Sequence, residues 1–197
     1  MPTATIKPLR ADAQRNRDRL LAVATAALLE DVDTPLETIA ERAQVGIGTL
    51  YRHFPNRDVL VEAVYRHEVE ELCDAAPLLL DGDRPAIEAL RDWAGHFVRY
   101  AAAKRGLAAT LRAAVGSDSP LFAETRERIV GALDVLLEAC RAEGSVRSDV
   151  GAEDVVLAMS AVWLVPDGDQ WDAQVRRLLD LVVDGLRFGA GGSGSAP

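Results

Sequence analysis

Between Thr34 and Asn56 helix punctuation cuts the chain into two segments too short to fold by themselves, and no other stretch restricts the molecule as much. Thr34 is placed to cap a short helix, Pro35 sits where a missing N–H costs nothing, and Glu37 follows at the spacing of a capping box. The inward face of that helix reads Leu36, Ile39, Ala40 and Ala43. A turn at Gln44, Val45 and Gly46 leads into a second segment, Ile47 to Phe54, which Pro55 ends. Two turns of helix do not persist alone in water, so Leu50 and Phe54, four apart, have to pin this one against its neighbours. Gly48, Thr49, Arg52 and His53 are then left on the outside.

A longer helix is expected before this pair, from about Ala13 to Glu30, with Leu20, Val23, Ala24, Ala27 and Leu28 as its apolar stripe. Another is expected after it, capped by Asn56 and running to about Cys73. Three helices, the second and third joined by a tight turn, form the arrangement that lays a short helix in the major groove of DNA. Gly48 permits close approach there, Thr49 offers a hydroxyl and a methyl to base edges, and Tyr51 can bond a phosphate or meet a thymine methyl. Arg52 and His53 add donors. Arg57 is within reach of the DNA backbone, and Arg10, Arg15 and Arg17 of the N-terminal arm suit phosphate or the minor groove.

The formal net charge of −9 speaks against a nucleic-acid partner only until its distribution is read. Up to His67 nine acids face nine basic residues, Lys7, Arg10, Arg15, Arg17, Arg19, Arg42, Arg52, Arg57 and Arg66, and the whole excess of acid falls later.

The stretch Thr38-Ile-Ala-Glu-Arg-Ala-Gln-Val-Gly-Ile-Gly-Thr-Leu-Tyr-Arg-His-Phe-Pro-Asn-Arg-Asp-Val-Leu60 closely resembles the DNA-binding domain of the TetR family of repressors. The later part is similar, more loosely, to the SbtR-like group through Lys104-Arg-Gly-Leu-Ala and the Gly-Ser-Asp-Ser around Ser117. Gln44 stands where members often have Gly, Gly46 where they often have a capping Ser, and Ile47 where Lys is common. A left-handed Gln costs roughly 1 kcal/mol, and the absent Lys removes one phosphate contact. With the resemblance, the expected DNA contacts are Arg15, Arg17, Thr38, Ile47, Gly48, Thr49, Tyr51, Arg52, His53 and Arg57.

The remainder also carries helical spacing, with no alternating apolar runs between turn signals, so the expected fold is all-α. Residues 1–55 read as arm and helix-turn-helix domain, 56–188 as a helical ligand-binding and dimerisation domain with 56–73 as connector, and 189–197 as a flexible tail. Five further helices are expected near Pro85 to Ala103, Arg105 to Val115, Pro120 to Glu143, Ala152 to Leu164 and Gln170 to Arg187. Trp93, Phe97 and Tyr100 share a helical face, Leu107 and Leu111 continue it, and Phe122, Thr125 and Ile129 follow, as plain core or as the lining of a pocket for a small-molecule effector. Val155, Met159 and Val162, with Val175, Leu178, Leu179, Val182 and Leu186, form stripes broad enough to pair with a second copy. A four-helix interface of that kind, and a homodimer whose two-fold axis matches a palindromic operator, is what the TetR resemblance implies.

Catalysis finds little support. His53, His67 and His96 are scattered and lack a nucleophile or metal-ligand companion at diagnostic spacing, and no strand is expected to carry a phosphate loop. His67 and Glu71, four apart, form a pair common on solvated helices, and no metal or other cofactor is expected. Cys73 and Cys140 are too few for a disulfide framework, and the polar start and the lack of an eighteen-residue apolar run read as a cytoplasmic chain without a membrane partner. Two functions stay open: a ligand-released repressor bound to double-stranded operator DNA, and a helical ligand-binding protein whose DNA motif has degenerated.

Overall fold

The computed structural model of the chain describes residues 7–188, with side chains from residue 16 onward; the expected tail over 189–197 lies outside the described residues. The described residues form α1 (Lys7–Glu30), α2 (Leu36–Arg42), α3 (Ile47–His53), α4 (Arg57–Leu80), α5 (Ala86–Val115), α6 (Pro120–Ala142), α7 (Ala152–Met159), a 3-10 turn (Ser160–Leu164) and α8 (Trp171–Arg187). All regular structure among them is helical, as the spacing predicts.

The chain divides into two compact units. One comprises residues up to His67 together with Ala103–Ser117, the other Glu68–Ala102 and the chain from Asp118 on. In the first, Leu20, Leu21, Ala24, Ala27 and Leu28 of α1 are buried with Ile39, Ala40 and Ala43, which fixes the short helices to a long one. The turn after α2 closes as the sequence suggests, with Gln44 left-handed at φ 57°. Gln44 N–H donates to Glu41 O at 2.9 Å and Val45 N–H to Ala40 O at 3.0 Å. This is the Schellman pattern, and it satisfies carbonyls that the helix end leaves open. α6 ends in the same way with Gly144 at φ 68°, where no side chain has to be forced into the left-handed region.

The capping box at Thr34 does not form. α2 begins one residue later than that reading requires, with Pro35 at its N-cap and no side-chain cap. Thr34 is instead buried, and its hydroxyl donates to Asp31 O at 2.7 Å and Ala27 O at 3.1 Å, closing the end of α1. Asn56 does cap α4, its Oδ1 accepting from Val59 N–H at 2.9 Å. α4 runs past its expected end to Leu80 with Pro77 inside it, where the missing N–H leaves the Cys73 carbonyl without its helical donor.

The two helices expected over 85–103 and 105–115 are one, α5, of 30 residues. Lys104, Arg105 and Gly106 interrupt the apolar pattern, but an interior Gly costs only about 1 kcal/mol and cannot by itself stop a helix. Val155, Met159, Val162, Val175, Leu179 and Leu186, expected to face a second copy, are at most 5% exposed and belong to the second unit's own core, with Leu178 and Val182 half-buried. Several of them border an apolar cleft with Leu90, Trp93 and Leu133. The outer face of the same elements carries Leu157, Leu164, Leu181 and Phe188, which are 65%, 84%, 69% and 82% exposed.

Both cysteines are free thiols, and burial pushes each above the ordinary thiol range, which keeps the reactive thiolate scarce.

Candidate nucleic-acid interface

α3 is built from the turn outward. Gly46, in extended conformation, starts it, and its carbonyl accepts from Thr49 N–H at 2.8 Å and Leu50 N–H at 3.2 Å. Leu50 and the following Phe54 are fully buried, as their spacing requires, and hold seven residues of helix that would not stand alone. Opposite them lie exposed Ile47, Gly48, Tyr51 and Arg52, with Thr49 and His53 half-buried. A Cβ at Gly48 would meet nothing within 4 Å, so the first turn presents open backbone. Thr38 of α2 is half-buried.

The basic candidates separate into different roles. Arg52 is exposed and, among the described residues, bonds within its own helix, to Gly48 O at 3.2 Å and Thr49 Oγ1 at 2.8 Å. Arg17 lies with its guanidinium carbon 5.8 Å from the centre of the Phe54 ring, a cation–π contact that steadies the end of α3. The side chain of Arg15 lies outside the described residues.

Arg57, expected at the DNA backbone, is engaged within the protein. Its Nη1 donates to Thr34 O at 2.8 Å and its Nη2 to Val32 O, so the guanidinium fork ties the start of α4 to the loop between α1 and α2. These two bonds position the motif. Arg57→Ala is therefore expected to lower stability by about 1–3 kcal/mol in denaturant unfolding. Lys at this position does not rescue it, because one ammonium cannot span both carbonyls as the fork does. The salt dependence of DNA binding should stay unchanged in Arg57→Ala; a slope shallower by about one charge, with stability intact, marks a phosphate ligand instead.

The residues expected around an effector are dispersed. Trp93, Phe97, Tyr100, Thr125 and Ile129 are buried in the second unit with Phe122 half-buried, whereas Leu107 and Leu111 are buried in the first. Of the whole set only Trp93 borders the apolar cleft, and several residues expected at the dimer face border it instead. The aromatic row is real: ring centres of Trp93 and Phe97 lie 6.1 Å apart, Phe97 and Tyr100 5.6 Å, and Tyr100 meets Trp163 edge-on at 6.3 Å. Trp93 Nε1–H donates to Leu72 O at 2.8 Å, which anchors the row to α4. The outward residues of α7, the 3-10 turn and α8 were missed. A signal for them existed in Leu157, Ala161 and Leu164, and in Leu181, Gly185 and Phe188, each spaced as one helical face.

A family model described as bacterial regulatory proteins of the tetR family matches residues 23–64, which hold α2, α3 and the buried stripe of α1. A second, described as the C-terminal domain of SbtR-like transcriptional regulators, matches residues 85–188. The chain belongs to the TetR family of transcriptional regulators.

Solved TetR-family structures agree. A TetR transcriptional regulator from Streptomyces coelicolor is 46% identical, with a TM-score of 0.78 over 87% of this chain and 98% of that one. A TetR regulatory protein from Mycobacterium vanbaalenii is 35% identical, with a TM-score of 0.69 over 91% and 99%. A TetR-family regulator from Mesorhizobium loti shares the fold alone, at 15% identity and a TM-score of 0.60 over 88% and 96%. TetR-family regulators are in general DNA-binding dimers without catalytic activity. No helix among the described residues is long and apolar enough to cross a membrane.

Proposed function

We propose that this TetR-family regulator acts in the cytoplasm as a repressor: a homodimer that holds a palindromic operator through α3 of each protomer and lets go when a small apolar or amphipathic effector enters its second unit. The observation that carries the DNA half is the polar outer face of α3, from Gly48 to His53, held out by buried Leu50 and Phe54. The left-handed turn at Gln44 closes with full hydrogen bonding, which speaks against a degenerated motif. Tyr51 is assigned to direct operator contact and Thr49 to a supporting role beside it, with Ile47 and His53 flanking them.

The outward apolar face made by Leu157, Leu164, Leu181 and Phe188 is assigned to the second copy, replacing the inner stripe. The buried aromatic row supports an apolar effector, and α4 and α5, which each run through both units, are the elements able to carry its effect. Release requires that the effector favour one of two conformations, since equal affinity for both shifts nothing.

The test is binding of the purified protein to DNA fragments at low salt with competitor present. Thr49→Ala and Tyr51→Ala are each expected to weaken operator binding by about tenfold or more while gel filtration still shows a dimer. Absence of specific binding by the parent protein overturns the repressor reading. Binding that no small molecule releases removes the effector alone.

A further inference from the structure

Arg52 sits in the last turn of α3, and its guanidinium lies over the first. Nε donates to the Gly48 carbonyl at 3.2 Å and Nη2 to the Thr49 hydroxyl at 2.8 Å. Long helical side chains lean toward the N-terminal end of their own helix, and these two bonds fix Arg52 in that direction. So placed, it lies over the part of a recognition helix that meets base edges. Gly48 keeps that approach open, because no atom surrounds the place its side chain would occupy.

Two of the five guanidinium N–H groups are used by these bonds, leaving both on Nη1 and one on Nη2 without a partner among the described residues. The free pair at the tip is the fork that matches O6 and N7 of guanine, the commonest base-specific contact in the major groove. Holding a long side chain in one rotamer before it meets DNA removes part of the entropy lost on binding. The Thr49 hydroxyl supplies that restraint, acting through Arg52.

We propose that Arg52 reads one guanine in each half-site through O6 and N7, with Thr49 as its positioning residue. This deepens the operator-binding reading and rests on it. The phosphate alternative uses the same charge but not the same geometry: a phosphate contact lowers affinity for every sequence alike when removed, whereas a base contact changes which sequence is chosen.

The experiment is selection of bound sequences from random DNA by the full-length protein and by Arg52→Ala, Arg52→Lys and Thr49→Val, with the salt dependence of binding measured for each. The parent protein is expected to enrich a half-site with a fixed guanine. Arg52→Ala loses preference at that one position by about tenfold to a hundredfold while preferences elsewhere persist, and Arg52→Lys, whose ammonium can still donate to O6 and N7, keeps part of it. Thr49→Val keeps the shape of Thr49 and loses part of the same discrimination. The proposal is overturned if Arg52→Ala retains the preference, or if Arg52→Ala weakens all sequences equally and flattens the salt slope by about one charge. A parent protein that enriches no sequence overturns the operator reading itself, and the guanine contact with it, a result distinct from either of those.

Discussion

Leu181→Glu is expected to give a folded monomer that has lost its hold on a palindromic site. Leu181 is 69% exposed on α8, one turn from Gly185 and two from Phe188, while Leu157 and Leu164 stand equally bare on α7 and the turn after it. Large apolar side chains grouped on neighbouring elements lose free energy in water, and each fully buried Leu is worth about 1.5–3 kcal/mol. A two-fold interface repeats every substitution, so one change removes two such contributions and places two unpaired carboxylates in the seam. At a combined cost of about 4 kcal/mol or more, the dimer constant falls by about a thousandfold.

Operator affinity then falls as well, because one half-site cannot supply the second as an intramolecular event, a loss of about a hundredfold or more. Sedimentation and far-UV circular dichroism decide this: the variant should be monomeric with unchanged helicity. Leu179→Glu is the control with the opposite result. Leu179 is 2% exposed and borders the apolar cleft, so its charge should unfold the second unit rather than release an intact protomer. If Leu181→Glu remains a dimer with unchanged operator binding, the outward face is not the interface.

The contrast between Leu179 and Leu181 marks where sequence stops being informative. Helical periodicity identified both helices, but Leu178, Leu179, Leu181, Val182, Val183 and Leu186 cover most of the circumference of α8. Which part turns inward is decided by what α8 packs on, and that information lies in distant residues such as Leu90 and Leu133. The DNA-binding motif was legible because its signals are local: Gly46 and Pro55 bracket α3, Asn56 caps α4, and Leu50 and Phe54 are one turn apart. The bonds of Thr34 and Arg57 within the protein were not legible for one reason. Each carries donors that suit more than one role: Thr34 turns back to Asp31 and Ala27, 3 and 7 residues away, and Arg57 to Thr34 and Val32, 23 and 25 residues away. The break expected within α5 rested on a weak local penalty that the continuous packing of Ala101, Ala103, Leu107 and Leu111 overrides.

Phe54→Ala is the second large expected effect, and it separates DNA binding from assembly in the opposite sense. α3 has seven residues, below the length at which a helix is stable in water, so its existence depends on what it buries. Phe54 is 1% exposed, follows the helix directly, and returns its N–H to Leu50 O at 2.8 Å while its ring carries Arg17. Truncating a buried Phe costs about 3–5 kcal/mol, and the cation–π contact adds about 0.5–1 kcal/mol. That is a large share of the roughly 5–15 kcal/mol that stabilises a whole domain. Hydrogen exchange over residues 46–56 should lose its protection, and operator binding should fall about a thousandfold, to the level of unspecific DNA. The second unit keeps its own core around Trp93, Leu133 and Leu136, so the variant stays a dimer. Wild-type affinity in Phe54→Ala would mean that the outer face of α3 does not read DNA, since no ordered helix would remain to present it.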